Sequence, residues 1–258
     1  MLQSQKRQKD KLLKKKKGGV PKRHLRFRAG LFLIIINLSV FYHIVYSGVP
    51  KEALASWVLS PANLRNGNFL CLITSGFLHG NWMHLLFNMG GVFIFASIVE
   101  THFGFVKTVC IYLSALFISM LFAIAVYILI MHKNTAIIGA SGALMGLIAC
   151  AMLLDPLRIT YEMIIPLPVM LKAWFFFYAD LKGFLGGEQD GVSHLTHLFG
   201  FFSIAILVYF FNKVERKKMQ KGLIINVVTF AILIILNQWI FYKTGKNFVN
   251  MLQSGLKI

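Results

Sequence analysis

Four side chains stand out because their surroundings are so apolar. Ser141 sits inside Gly-Ala-Ser-Gly near the head of the hydrocarbon run from Ile137 to Cys150. His84 and Asn88 stand one helical turn apart in HLLFN, and His197 follows His194 by three residues in SHLTHLFG. A serine hydroxyl is a weak nucleophile until a neighbouring base removes its proton, and a neutral histidine is the usual base. His197 is the better placed of the candidates, because Gly200 after it lets its helix approach that of Ser141. Attack on a carbonyl then creates an oxyanion that needs donors. His84 and Asn88 share one helix face. Ser141 lies near a helix start, where backbone N–H groups lack partners and the dipole is positive. The chemistry expected is acyl transfer by a serine nucleophile.

The elements that must position these groups follow from composition. The chain is 57% hydrophobic and carries 24 Phe against 9 Asp+Glu, too little charge for a soluble domain of 258 residues. Its apolar residues fall in long blocks, which reads as an all-α, polytopic membrane helix bundle. Seven spans are expected, at about 29–47, 82–103, 106–131, 137–154, 162–181, 193–212 and 222–242. The loop before the second span carries Trp57, Phe69 and Leu70 and is expected to lie at the membrane interface.

Twelve of the 27 Lys+Arg precede the first span, and NKVERKKMQKG sits between the last two. That distribution predicts a cytoplasmic N-terminus, with the basic tail on anionic headgroups. No aromatic residue interleaves the Lys run, so nucleic acid is not the expected partner. The three cysteines, Cys71, Cys110 and Cys150, are scattered and indicate no redox compartment.

With that orientation the even-numbered spans all run from outside to inside. Ser141 lies 14 residues before Asp155, His84 lies 16 before Glu100, and His197 lies 16 before Lys213. At the helical rise these are roughly 21–24 Å, so the three share one level below the outer surface. Polar groups at this depth are costly and face a bundle interior or a wet cavity. Each has a bland reading: a serine can bond back to its own helix, and Gly139, Gly142 and Gly146 can serve packing alone. No even-numbered span offers a carboxylate at this level, so a Ser–His dyad is expected rather than a triad.

These residues resemble the rhomboid intramembrane serine proteases. FLHGNWMHLLFNM is similar to the family's second-span signature, GASGALMG to its nucleophile motif, and SHLTHLFG to its sixth-span motif. Glu100 and Gly104 are similar to an E-x3-G pattern that closes the second span. The resemblance implies a six-span core at 29–212, after a basic tail at 1–28. A basic loop and seventh span at 213–242 and a C-terminal tail at 243–258 would follow. It implies Ser141 as nucleophile, His197 as base, and His84 and Asn88 as oxyanion donors, with His79 and His194 as supporting histidines. Met145 stands where many members carry an aromatic ring against the base, Ile204 where a second small residue is common, and Phe69 to Cys71 where aromatic–Arg is frequent. The implied substrates are transmembrane segments of other proteins, cut near the outer face of a plasma (cell inner) membrane, with no metal and no organic cofactor.

Two other readings remain open on sequence alone. One is a non-catalytic rhomboid-like protein that binds membrane clients. The other is a metal transporter or metalloenzyme ligated by His79, His84, His194 and His197. It lacks H-E-x-x-H, and its nearest acids, Glu188 and Asp190, are expected in an outer loop.

Overall fold

The computed structural model describes residues 24–161, 166–187 and 191–244. Most of the basic tail, the C-terminal tail from 245, and the loop acids Glu188 and Asp190 lie outside the described residues. Seven helices carry the architecture: α1 Arg28–Tyr46, α2 Trp82–Phe103, α3 Phe105–Leu129, α4 Ser141–Leu154, α5 Val169–Gly186, α6 His194–Leu207 and α7 Lys213–Thr244. Among the described residues, Arg28–Tyr46, Trp82–Phe103, Phe105–Leu129 and Lys213–Trp239 are long and apolar enough to cross a membrane. Large apolar side chains such as Ile35, Phe87, Phe175 and Ile235 cover the outside, as expected where lipid is the solvent.

α4 lies at the centre. Gly142, Ala143, Gly146, Leu147 and Ala149 to Met152 are buried, with α2, α3, α5, α6 and α7 around it. Small residues permit this. Gly146 faces Ala115 of α3 and Ser203 of α6, and Gly142 faces Ser119 of α3 and Thr196 of α6. Close approach of small residues is how helices associate where lipid removes the hydrophobic drive between them. α1 docks against α2 through Gly30, and Asn37 of α1 donates to the Tyr112 hydroxyl of α3 at 3.3 Å.

Three boundaries differ from expectation, each for a local reason. The fourth helix begins at Ser141, not 137, because residues before it run extended and bond elsewhere. Ile137 N–H donates to Leu59 C=O and Gly139 N–H to Ser75 C=O, both at 2.9 Å. Non-helical backbone at this depth survives because other segments of the protein satisfy it. The fifth helix begins at Val169, not 162. Pro166 and Pro168 each remove an N–H and bias the preceding residue away from helix. Leu167–Pro168 (β2) instead pairs antiparallel with Ile159–Thr160 (β1). The basic cluster expected as a loop at 213–221 is helical and belongs to α7. Asn212 Oδ1 accepts from the Glu215 N–H at 2.9 Å, and Glu215 Oε2 accepts from the Asn212 N–H at 3.0 Å. That reciprocal capping box starts the helix two turns before the apolar run.

α7 is seated against the C-terminal end of α4. Asn226 Nδ2 donates to the Met152 carbonyl at 3.1 Å, and Gly222 lies directly against the backbone of Leu153. Lys107 pairs with Glu215, and Lys218 donates to His102 Nδ1, whose ring faces Asp155 at 3.8 Å. Glu100 serves the fold rather than the site. Its Oε2 accepts from the Ala29 N–H at 2.8 Å, which satisfies an orphan donor at the start of α1.

The loop between α1 and α2 is folded rather than extended, with short helices at Lys51–Trp57, Pro61–Arg65 and Cys71–Thr74. Asn63 Nδ2 donates to the carbonyls of Ala55 and Val58 at 2.8 and 2.7 Å. Phe69 and Leu70 are exposed, as an interfacial element requires.

Candidate active site

Ser141 is the first residue of α4, after Ala140 at the N-cap. The first intrahelical bond here runs from Leu144 N–H to Ala140 C=O, so the N–H groups of Ser141, Gly142 and Ala143 have no acceptor within the helix. Gly139 takes φ +112°, a conformation L side chains rarely adopt, and so turns the extended segment into α4. It also makes room for α2. A Cβ at Gly139 would stand 2.8 Å from His84 Cε1 and Nε2 and 4.0 Å from Asn88 Nδ2. The two α2 side chains therefore converge on the turn that presents Ser141. Asn88 Nδ2 spends one hydrogen on the His84 carbonyl at 3.1 Å, and the second remains for a ligand.

His197 enters from α6, one turn before Gly200. A Cβ at Gly200 would stand 2.8 Å from the Gly142 carbonyl carbon and 2.9 Å from its Cα, so the two helices touch backbone to backbone. Ser141, Asn88, Met145 and His197 line one cavity of about 490 Å³, bounded by α2, α4, α5 and α6. No hydrogen bond joins Ser141 to His197 among the described residues. They meet across the cavity, and such bonds tighten when substrate binds. Met145, one turn after Ser141, is buried and forms part of the cavity wall beside His197.

His79 lies in the loop before α2, packed edge-on against His84 with ring centroids 5.0 Å apart. Its Nδ1–H donates to the Phe77 carbonyl at 3.3 Å. Burial, with the neighbouring His84, pushes the His79 imidazole from the usual 6.5 down to about 4. The folded protein thus holds it neutral while the unfolded chain takes up a proton below about 6.5. The unfolded state then binds more protons, so stability is full above that value and is lost as pH falls towards 4. The thermal midpoint is expected to drop across that window, and His79→Ala should flatten the slope in a pH series of melting curves.

The family model of the Rhomboid domain matches residues 66–214, more than half of the chain. The chain belongs to the rhomboid family. It is 25% identical over 237 residues to Rhomboid protease AarA of Providencia stuartii, covering 84% of each chain. It is 29% identical over 160 residues to Rhomboid-like protein 11, chloroplastic, of Arabidopsis thaliana, covering 58% of this chain and 55% of that one. To RHOMBOID-like protein 12, mitochondrial, of the same plant it is 26% identical over 190 residues, covering 66% of this chain and 54% of that one. The chain thus spans little more than half the length of the two plant relatives. With these rhomboid relatives and its apolar helices, it is an integral membrane protein.

The rhomboid match spans α2 to α6 with the loops before and between them, and so includes every site residue considered above. One group in that interval was not anticipated. Asp180 of α5 lies 2.7 Å from His197 Nδ1 and 3.0 Å from His194 Nδ1, through the same Oδ1. No even-numbered span carries this carboxylate, because Asp180 belongs to α5, the fifth. An odd span rises from the opposite side and ends at the level where the even ones begin, so Asp180 was legible as a charge closing WFFFYAD. Asp180 is thus the acid beside His194 and His197 among the described residues, outside which Glu188 and Asp190 lie. Asp180, His194 and His197 are the one group of potential metal ligands that converge among the described residues. Their spacing is that of N–H···O bonds, whereas donors around a tetrahedral zinc stand about 3.3 Å apart. His79 and His84 pair separately on the α2 side.

Proposed function

We propose that this rhomboid is an intramembrane serine endopeptidase that cuts transmembrane segments of other proteins. The observation that carries the reading is the shared cavity, in which Ser141, at the open N-terminus of α4, lies with Asn88 and His197. Ser141 Oγ attacks the scissile carbonyl while His197 Nε2 accepts the hydroxyl proton. The oxyanion is stabilised by the Ser141 N–H, His84 and Asn88. Collapse breaks the C–N bond and passes the proton to the leaving amine, leaving an acyl ester on Ser141. Water, deprotonated by His197, hydrolyses that ester and restores the hydroxyl. Every step is served by side chains and backbone, without metal or organic cofactor.

Leu86, Phe87 and Ile94 of α2 and Phe176 of α5 give the cavity an apolar wall, and Leu86 and Phe87 are exposed to the surroundings of the bundle. A substrate helix reaches it sideways from lipid, and residues that weaken that helix expose the bond to be cut. The positive-inside distribution of Lys and Arg supports a cytoplasmic N-terminus, with the site toward the outer face of the plasma (cell inner) membrane. The basic tail then rests on anionic headgroups.

The test is covalent. The purified chain in mild detergent is treated with a fluorophosphonate probe and incubated with a single-pass substrate whose helix contains Gly or Pro. The label is expected on Ser141 by peptide mass spectrometry, with cleavage indifferent to EDTA. Cleavage without label at Ser141, or cleavage that EDTA abolishes, overturns the reading. Binding of substrate with neither label nor cleavage points to a client-binding rhomboid-like protein instead.

A further inference from the structure

We infer that Asp180 is the positioning residue for the base, so that α4, α6 and α5 contribute Ser141, His197 and Asp180 to one relay. The inference rests on the proposed role of His197. A neutral imidazole carries one N–H, and the side on which it sits decides whether the ring can act. The 2.7 Å contact puts that hydrogen on Nδ1, donated to Asp180 Oδ1, and leaves the Nε2 lone pair for Ser141. When His197 takes the serine proton, the ring becomes an imidazolium, and the carboxylate beside it stabilises that charge without moving.

The surroundings of Asp180 hold the carboxylate still. His194 Nδ1–H donates to the same oxygen at 3.0 Å, so two donors one turn apart on α6 fix its direction. Gly183, one turn beyond Asp180 on α5, provides the space. A Cβ there would stand 2.8 Å from His194 Cδ2, too close for the ring to keep its place. The Asp180 side chain is 9% exposed. A buried carboxylate in a membrane helix is costly, and an apolar residue would pack α5 against α6 as well. A carboxylate confined by two histidines, one of which faces the nucleophile, is instead the arrangement that sets a tautomer.

A role confined to folding would act on stability and on substrate binding alike, so the test reads kcat, KM and the tautomer separately. Full-length chain carrying 15N-histidine, in detergent micelles, is compared with Asp180→Asn, Asp180→Glu and Ser141→Ala. Nitrogen NMR of the wild type is expected to show His197 protonated on Nδ1. Asp180→Asn is expected to lose that signature and to lower kcat by about 10²- to 10⁴-fold, with KM held within about threefold. Asp180→Glu, which keeps the charge, should retain more kcat than Asp180→Asn. A wild-type His197 protonated on Nε2 overturns the inference even if no variant folds. So does an Asp180→Asn kcat near that of wild type, or a fall in kcat with the tautomer unchanged. Ser141→Ala separates the two readings. If it still cleaves, the protease proposal fails; if it is inactive while Asp180→Asn is fully active, only the role of Asp180 fails.

Discussion

Ser141→Ala is expected to lower the turnover of a single-pass substrate by about 10⁴-fold or more, while leaving the melting temperature of the protein unchanged. The two halves of that expectation have separate causes. The Ser141 hydroxyl makes no side-chain hydrogen bond among the described residues, and alanine is a good helix former, so α4 loses nothing that holds it in place. The whole effect falls on chemistry. His197→Ala should reach the same low floor, and the double variant should go no lower. Nucleophile and base act as one unit, and losing either removes what the other contributes. The activity left would come from substrate held against the oxyanion donors, His84, Asn88 and the backbone N–H of residue 141 at the start of α4. Rates of substrate cleavage by the three variants, measured beside their melting curves, check this. Additive losses, or a Ser141→Ala enzyme that cleaves at the wild-type rate, would show that the hydroxyl is not the attacking group.

Why these four residues could be read from sequence is a matter of contrast. Against Leu, Ile, Phe and Ala a serine, an asparagine and two histidines are conspicuous, and counting residues to the first inner charge gives their depth without any knowledge of packing. α1, α2 and α3 were legible to within one or two residues because their apolar runs end at turn residues, such as Gly104 between α2 and α3. The start of α4 was not. Ile137 is as apolar as any helical residue, and what keeps it extended is a bond to Leu59, which no local pattern records. The extra turns of α7 escaped for the opposite reason. Their residues are charged and end any hydropathy signal, yet Asn212 and Glu215 cap the helix ahead of them. Asp180 was visible as a type and missed as a neighbour, since only the packing of α5 on α6 brings it to His197.

The closest backbone approach in the site yields the second large effect. Gly200→Ala is expected to cost about 1–3 kcal/mol of stability and to lower turnover by about 100-fold. The new methyl would land on the Gly142 carbonyl group, 2.8 Å from its carbon and 2.9 Å from Gly142 Cα. Both are backbone atoms, so no rotamer change relieves the clash and α4 and α6 must part. α4 has nowhere to go. On its far side Gly142 and Gly146 are already closed against Ser119 and Ala115 of α3. The displacement therefore falls on α6, and His197 lies one turn from the substituted residue, while Ser141 adjoins Gly142. A helix shift of about 1 Å lengthens the path from Oγ to Nε2 directly, and misplacement on that scale is enough to lose two orders of magnitude in rate. Gly30→Ala is the control, because a methyl there meets α2 at 3.5–3.6 Å, ordinary contact, away from the cavity, and should leave the melting temperature unchanged or raised. Melting curves and kcat for both variants decide the matter. A Gly200→Ala enzyme with wild-type turnover would mean that contact between α4 and α6 does not set the distance between nucleophile and base.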